Sequence, residues 1–268
     1  MKYLRRTAMA LLAAIYLSAL LAGWLAPAGY APQFRDSPAA KPSAFFWLGT
    51  DELGRDSFAR LLHGSRVSLS LAPAAAALAT VIGAAAGITA GYWGGWIDTC
   101  LARVMDLFLS VPWLFLLLSV RAVLPLNVPP LESVGITFLL LGLLGWAGPA
   151  RVLRSAAHEI ASEDFMIQAH ARGCGRLRLL THHLLPNLAP VLAAQFWMSI
   201  PIFILSEANL GFLGLGVAEP LPSWGNLLAG LQNLDAVMSC PWRLAPLVLL
   251  LLVMACFHLI VPMEDFSK

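Results

Sequence analysis

His158-Glu159 opens the zinc-protease pattern His-Glu-x-x-His, in which a second histidine one helical turn on completes a metal site and the glutamate serves as base. Position 162 is serine, so the pattern fails. The adjacent His182-His183 are metal-ligand types, but with no further ligands nearby they read as a solvated pair. Ser199 and Ser206, with His258, supply the residue types of an intramembrane serine hydrolase, yet no Gly-x-Ser-x-Gly is present. The plainer reading places these serines at helix contacts and has His258 bonding across helices. Cys100, Cys174, Cys240 and Cys256 show neither metal nor redox spacing. A phosphate loop needs Gly-Lys-Ser/Thr, and none of the three lysines (Lys2, Lys41, Lys268) follows a glycine. No catalytic or metal-binding residue is therefore assigned. The chain is expected to bind no cofactor, and its energy must come from a partner or an ion gradient.

The composition explains why so few groups are reactive. Of 268 residues, 59% are apolar and only 12% charged, against roughly 25% charged in a soluble domain. The polar surface is too small for a soluble globule, and the chain reads as all-α and polytopic in a membrane. A net charge of +2 is too small to suggest nucleic-acid binding, so no nucleic-acid partner is expected and membrane lipid is the medium. Stretches poor in Asp, Glu, Lys and Arg predict six spans. They run from Thr7 to about Ala26, Val67 to Ile97, beyond Asp106 to about Leu126, Ser133 to Ala150, beyond Pro186 to Ser206, and Leu244 to Met263. The first apolar run is longer than a signal-peptide core of about 7–15 residues and reads as an uncleaved anchor.

Six spans put both termini on one side. With that side inside, inner segments carry ten Lys and Arg against seven on or near the outer side. The sequence divides into an anchor helix with its outer loop (1–66) and a core (67–268) holding an inner loop at 151–187. In the outer loop, Phe58, Leu61 and Leu62 predict a short helix lying on the membrane surface, with Asp51 or Asp56 as its cap. In the inner loop, a helix over 154–172 is broken by Gly173 and Gly175, and a second short helix is closed by Pro186. That knob fits either a groove on a partner or an anionic lipid surface. The segment 208–243, rich in Gly and Pro, is expected to be structureless and functional. Glu207 and His258, ionisable groups in or at the end of predicted spans, are candidates for a gate or translocation path. Arg121 lies near the outer end of the third span. The Gly83, Gly87, Gly91 stripe predicts close helix packing.

Three motifs carry a family resemblance. Leu48-Gly-Thr-Asp-Glu-Leu-Gly-Arg-Asp56, followed by Arg60-Leu-Leu-His-Gly-Ser-Arg-Val-Ser-Leu69, resembles the N-terminal signature of the dipeptide/oligopeptide/nickel ABC-importer permeases, C-type subunit. Asp164, Phe165, Ala169, Gly173 and His183-Leu-Leu-Pro-Asn187 are similar to that family's EAA loop, although Ile167 and Gln168 replace its usual Glu and Ala. Glu207-Ala208, Leu213-Gly-Leu-Gly216 and Pro222-Ser-Trp-Gly225 match the segment after the fifth span, with Gly211 at a usual serine. The tail 261–268 lacks the family's usual ending.

The resemblance implies a type I ABC-importer permease fold in a bacterial cytoplasmic (inner) membrane, with both termini cytoplasmic. It implies a second homologous permease, two cytosolic ABC ATPases that bind ATP-Mg, and an extracytoplasmic solute-binding protein. The cargo would be a peptide or a related small solute, a nickel complex or opine included. Ala169, Gly173, Leu185, Pro186 and Asn187 would form the ATPase-coupling loop. The alternatives are an ion-gradient-driven secondary transporter, which predicts an inverted repeat, and the intramembrane hydrolase.

Overall fold

The structure, a computed structural model, describes residues 2–27, 29–125 and 128–260. In chain order the α-helices are α1 (Lys2–Leu20), α2 (Ala22–Leu25), α3 (Ser57–Trp93), α4 (Gly95–Ser110), α5 (Trp113–Val123), α6 (Pro130–Leu144), α7 (Ala147–Ala161), α8 (Asp164–Ala171), α9 (Arg176–Leu179), α10 (Leu185–Phe212), α11 (Trp224–Ala229), α12 (Leu234–Ser239) and α13 (Ala245–Ile260). A π-helical turn, Leu180–Leu184, joins α9 to α10. Among the described residues there is no strand, so the all-α expectation holds.

Among the described residues, four stretches are long and apolar enough to cross a membrane: Ser57–Trp93, Pro130–Ala161, Arg176–Phe212 and Pro241–Ile260. The pair Gly95–Ser110 and Trp113–Val123 makes a fifth if counted as one span, although its halves meet at 84°. The count is thus four or five against the six expected. The third expected span, beyond Asp106 to about Leu126, is bent near its start, where Pro112 drives Val111 into an extended conformation (φ −89°, ψ 128°). The first is helical over Lys2–Leu20, but the basic residues at its start keep it out of that count.

Other boundaries moved as well. The expected surface helix at 57–63 is the start of α3, which runs on for 37 residues, about 56 Å. The expected inner helix 154–172 divides into α7 and α8, because Glu163 is extended (ψ 148°). Pro186 does not close a helix. It lies in the first turn of α10, where the wider π turn before it gives the ring room. The segment 208–243 is not structureless but carries the end of α10, α11, α12 and two 3-10 turns. The tail 261–268 lies outside the described residues.

The division at residue 66 falls inside α3, and the chain instead forms two compact units. One unit comprises 1–72, 118–138 and 201–262. In it α1 packs along α13, and Ala22 and Ala26 meet Ala59 and Leu62 in a small apolar core. The other unit comprises, among the described residues, 73–117 and 139–200. Its cores gather Ile88, Leu153, Ala157, Met166, Leu179, Leu184 and Leu188 at the loop, and Ala90, Met105, Trp146, Ala147 and Ala150 beside it.

Candidate functional site: the 151–187 loop and the clustered signature segments

In the unit containing the loop, α7 is the root. Gly83, Gly87 and Gly91 lie one turn apart on α3 and face it. A Cβ on Gly87 would collide with the Ala150 carbonyl oxygen, and one on Gly91 would sit 2.8 Å from the Ala157 Cβ. The glycines thus admit backbone-to-backbone contact, as their spacing predicts. Charge fastens the other side. Nε and Nη2 of Arg154 both donate to the Asp98 carboxylate of α4, the Nη2–Oδ2 contact at 2.7 Å, and Arg151 pairs with Asp106.

Beyond α7 the loop is shaped by one local device. Gly173 adopts φ +86°, a left-handed conformation open to glycine at little cost. Its N–H bonds the His170 carbonyl at 2.9 Å, and the Cys174 N–H bonds Ala169 at 3.1 Å. This pair of bonds is the Schellman stop, which satisfies the last carbonyls of α8. Ala169 and Leu185 are half-buried against the Met166 core. Pro186 and Asn187 are exposed, and the Asn187 amide bonds the His183 carbonyl at 2.7 Å. Phe165, Ile167 and Leu177 stand 41%, 57% and 73% exposed, an apolar surface on a loop whose root is rigid.

The first and third signature motifs cluster in the other unit. Asp51 organises the first: Oδ1 accepts the Leu53 and Arg55 N–H groups, each at 2.9 Å, and Oδ2 meets the Arg55 side chain at 2.6 Å. Asp56 caps α3 by accepting the Phe58 N–H at 2.9 Å. Burial pushes its carboxyl above the usual carboxylate range, partly offset by the Phe58 and Ala59 N–H groups. Glu219 ties the distant segment to this turn, accepting from Arg55 at 2.7 Å and from the buried Arg60 at 2.9 Å. These side chains line a cavity of about 550 Å³.

Glu207 is fully buried. Its Oε2 accepts from Ser68 at 3.0 Å, and its Oε1 lies against Gly225. Ser68 in turn accepts the Trp224 N–H at 3.2 Å, while the Trp224 indole donates to Ser65 at 2.9 Å. Glu207 thus fastens the Trp224 segment to α3 and α10. His258 lies apart from it, exposed on α13. The guanidinium of Arg121, drawn from sequence near an outer span end, is buried and donates to Ser133 at 3.3 Å and to the Pro125 carbonyl at 3.2 Å. Ser199 and Ser206 donate to carbonyls one turn back in α10, at 2.7 and 2.8 Å. Sequence reasoning passed over Ser65, Ser68, Ser133, Glu219 and the Asp98–Arg154 pair. Polar residues inside apolar helices were the available signal for the serines.

Residues 83–263 match a family described as the binding-protein-dependent transport system inner membrane component. The chain belongs to this family. It is 33% identical to the dipeptide transport system permease protein DppC of Alkalihalophilus pseudofirmus over 266 residues, which cover 97% of this chain and 84% of that one. It is 35% identical to the di/tripeptide transport system permease protein DppC of Pseudomonas aeruginosa, over 90% of this chain and 80% of that one. With the oligopeptide transport system permease protein OppC of Bacillus subtilis it shares 33% identity over 76% of its own length and 64% of the other's. The resemblance read from the three motifs is therefore borne out. The chain is a multi-pass inner-membrane permease subunit of an ABC importer and not an enzyme, which sets the hydrolase aside. Membership carries with it an ATP-driven system with ATPase and binding-protein partners.

Proposed function

We propose that this chain lines half of the path by which peptides, or a related small solute such as a nickel complex, enter the cell from an extracytoplasmic binding protein. A second homologous permease forms the other half. Two cytosolic ATPases charged with ATP-Mg act on the 151–187 loop, and both termini are cytoplasmic. The cargo class rests on the names of the relatives, which are dipeptide, di/tripeptide and oligopeptide permeases.

One observation carries the coupling assignment: α8 stops on Gly173 and leaves Phe165, Ile167 and Leu177 exposed on a loop rooted by α7. An ATPase groove would bury that apolar surface. Gly173 supplies the turn, Ala169 and Leu185 seat it on the core, and Pro186 and Asn187 shape the exit into α10. Glu207 acts by holding the Trp224 segment as a fixed gate element, and His258 sits where a partner helix or the path would meet α13.

The test is co-purification in mild detergent with mass spectrometry, followed by uptake of labelled dipeptide in vesicles. A second permease and P-loop ATPases should appear, with uptake requiring ATP and the binding protein. A chain that purifies alone and moves solute without ATP overturns this reading in favour of an ion-gradient transporter.

A further inference from the structure

The unit that holds the loop contains a second cavity, of about 300 Å³, where the end of α3 meets α8 and α9. Its walls include Tyr92, Trp93, Met166, Ile167, His170 and Arg176. We propose that this cleft binds the headgroup of an anionic phospholipid, with the phosphate on Arg176 and the glycerol and first acyl carbons against Trp93.

Charge is the first argument. The cleft is lined by a guanidinium and an imidazole and by no carboxylate. Among the described residues no carboxylate lies within ion-pair distance of Arg176, whereas Arg151 and Arg154 are both paired. The backbone at Arg176 is anchored beside the cleft: its carbonyl accepts the Tyr92 hydroxyl at 3.0 Å, which ties the start of α9 to the end of α3. An unpaired guanidinium beside aromatic rings is suited to a phosphate oxygen.

Depth is the second. The part of α3 free of charge runs from Val67 to Trp93, about 40 Å of helix. A bilayer with its headgroups is about 40–45 Å thick. The cleft therefore lies at headgroup level, where tryptophan is enriched. Trp93 is 43% exposed, an apolar wall that a soluble anion would leave uncovered and a lipid would cover. The argument holds for either leaflet and does not depend on the cargo.

The experiment is native mass spectrometry of the full chain released from nanodiscs of mixed phosphatidylglycerol and phosphatidylcholine. A retained phosphatidylglycerol is expected, in preference to phosphatidylcholine and undisturbed by inorganic phosphate. Arg176→Gln should weaken retention about fivefold, the effect of one basic charge at an anionic surface. Arg176→Lys should keep most of it, and Arg178→Gln, two residues on and outside the cleft, should leave it unchanged. Equal loss in the Arg176 and Arg178 variants, or equal retention of both lipids, overturns the site. Displacement by phosphate would make it a bare anion site, and displacement by the partner ATPase would make it part of a protein interface. Either result also overturns the proposal.

Discussion

Gly87 of α3 meets Ala150 of α7 backbone to backbone, with no room for a Cβ between them. Gly87→Val should therefore force the helices apart, at a cost of about 1–3 kcal/mol for overpacking. The midpoint of detergent-induced unfolding should fall. Gly135→Ala is the control: its position in α6 is open space, so the gain in helix propensity should leave stability level or slightly raised.

The Arg154–Asp98 pair should show measurable coupling. It is bidentate and its side chains are only about a third exposed or less. A double-mutant cycle of Arg154→Ala and Asp98→Ala should give roughly 1.5–3 kcal/mol, the range for hydrogen bonds to charged groups. Arg154→Lys should recover only part, because an ammonium cannot reproduce the fork. Independent, additive losses would show that the pair does not hold α7 in place.

Gly173→Asp should abolish transport while the protein remains in the membrane. A side chain here meets nothing within 4 Å, so the damage comes from the left-handed backbone, about 1–2 kcal/mol for an L-residue. Gly173→Asn, which shares the backbone cost but adds no negative charge to the apolar docking surface, should be milder. Full uptake by Gly173→Asp would sink the coupling assignment.

Ser68→Ala should loosen the Trp224 segment. It removes the donor to Glu207 and leaves the buried Trp224 N–H unpartnered, a loss of about 1–3 kcal/mol. A cysteine placed at Leu221 should then label faster with a soluble maleimide than in the parent chain. Unchanged labelling in both Ser68→Ala and Glu207→Ala would show that the segment is held by packing alone.

Much of the molecule is legible in its residues. Membrane class follows from a composition that leaves too few charges for a water-facing surface. The Asp56 cap and the Gly173 stop are readable because each rests on bonds closed within a few residues. The bend at Pro112 was equally readable, since a residue before proline avoids the helical region. There the length of the apolar run hid a local signal.

Other features were decided only when the chain folded. Ser68 and Glu207 are 139 positions apart, and Asp98 and Arg154 are 56 apart. Their pairing depends on which helix faces lie together. Residue type told that Glu207 and Arg121 were costly to leave in an apolar setting, but not which serines would receive them. The tertiary structure also set the course of α3 from Ser57 through to Trp93 and the π turn ahead of Pro186. Periodicity and turn chemistry act over a few residues, so they determine where helices start, stop and turn their apolar faces. Burial of a charge is settled by the whole packing arrangement, because the groups that offset its desolvation come from distant parts of the chain.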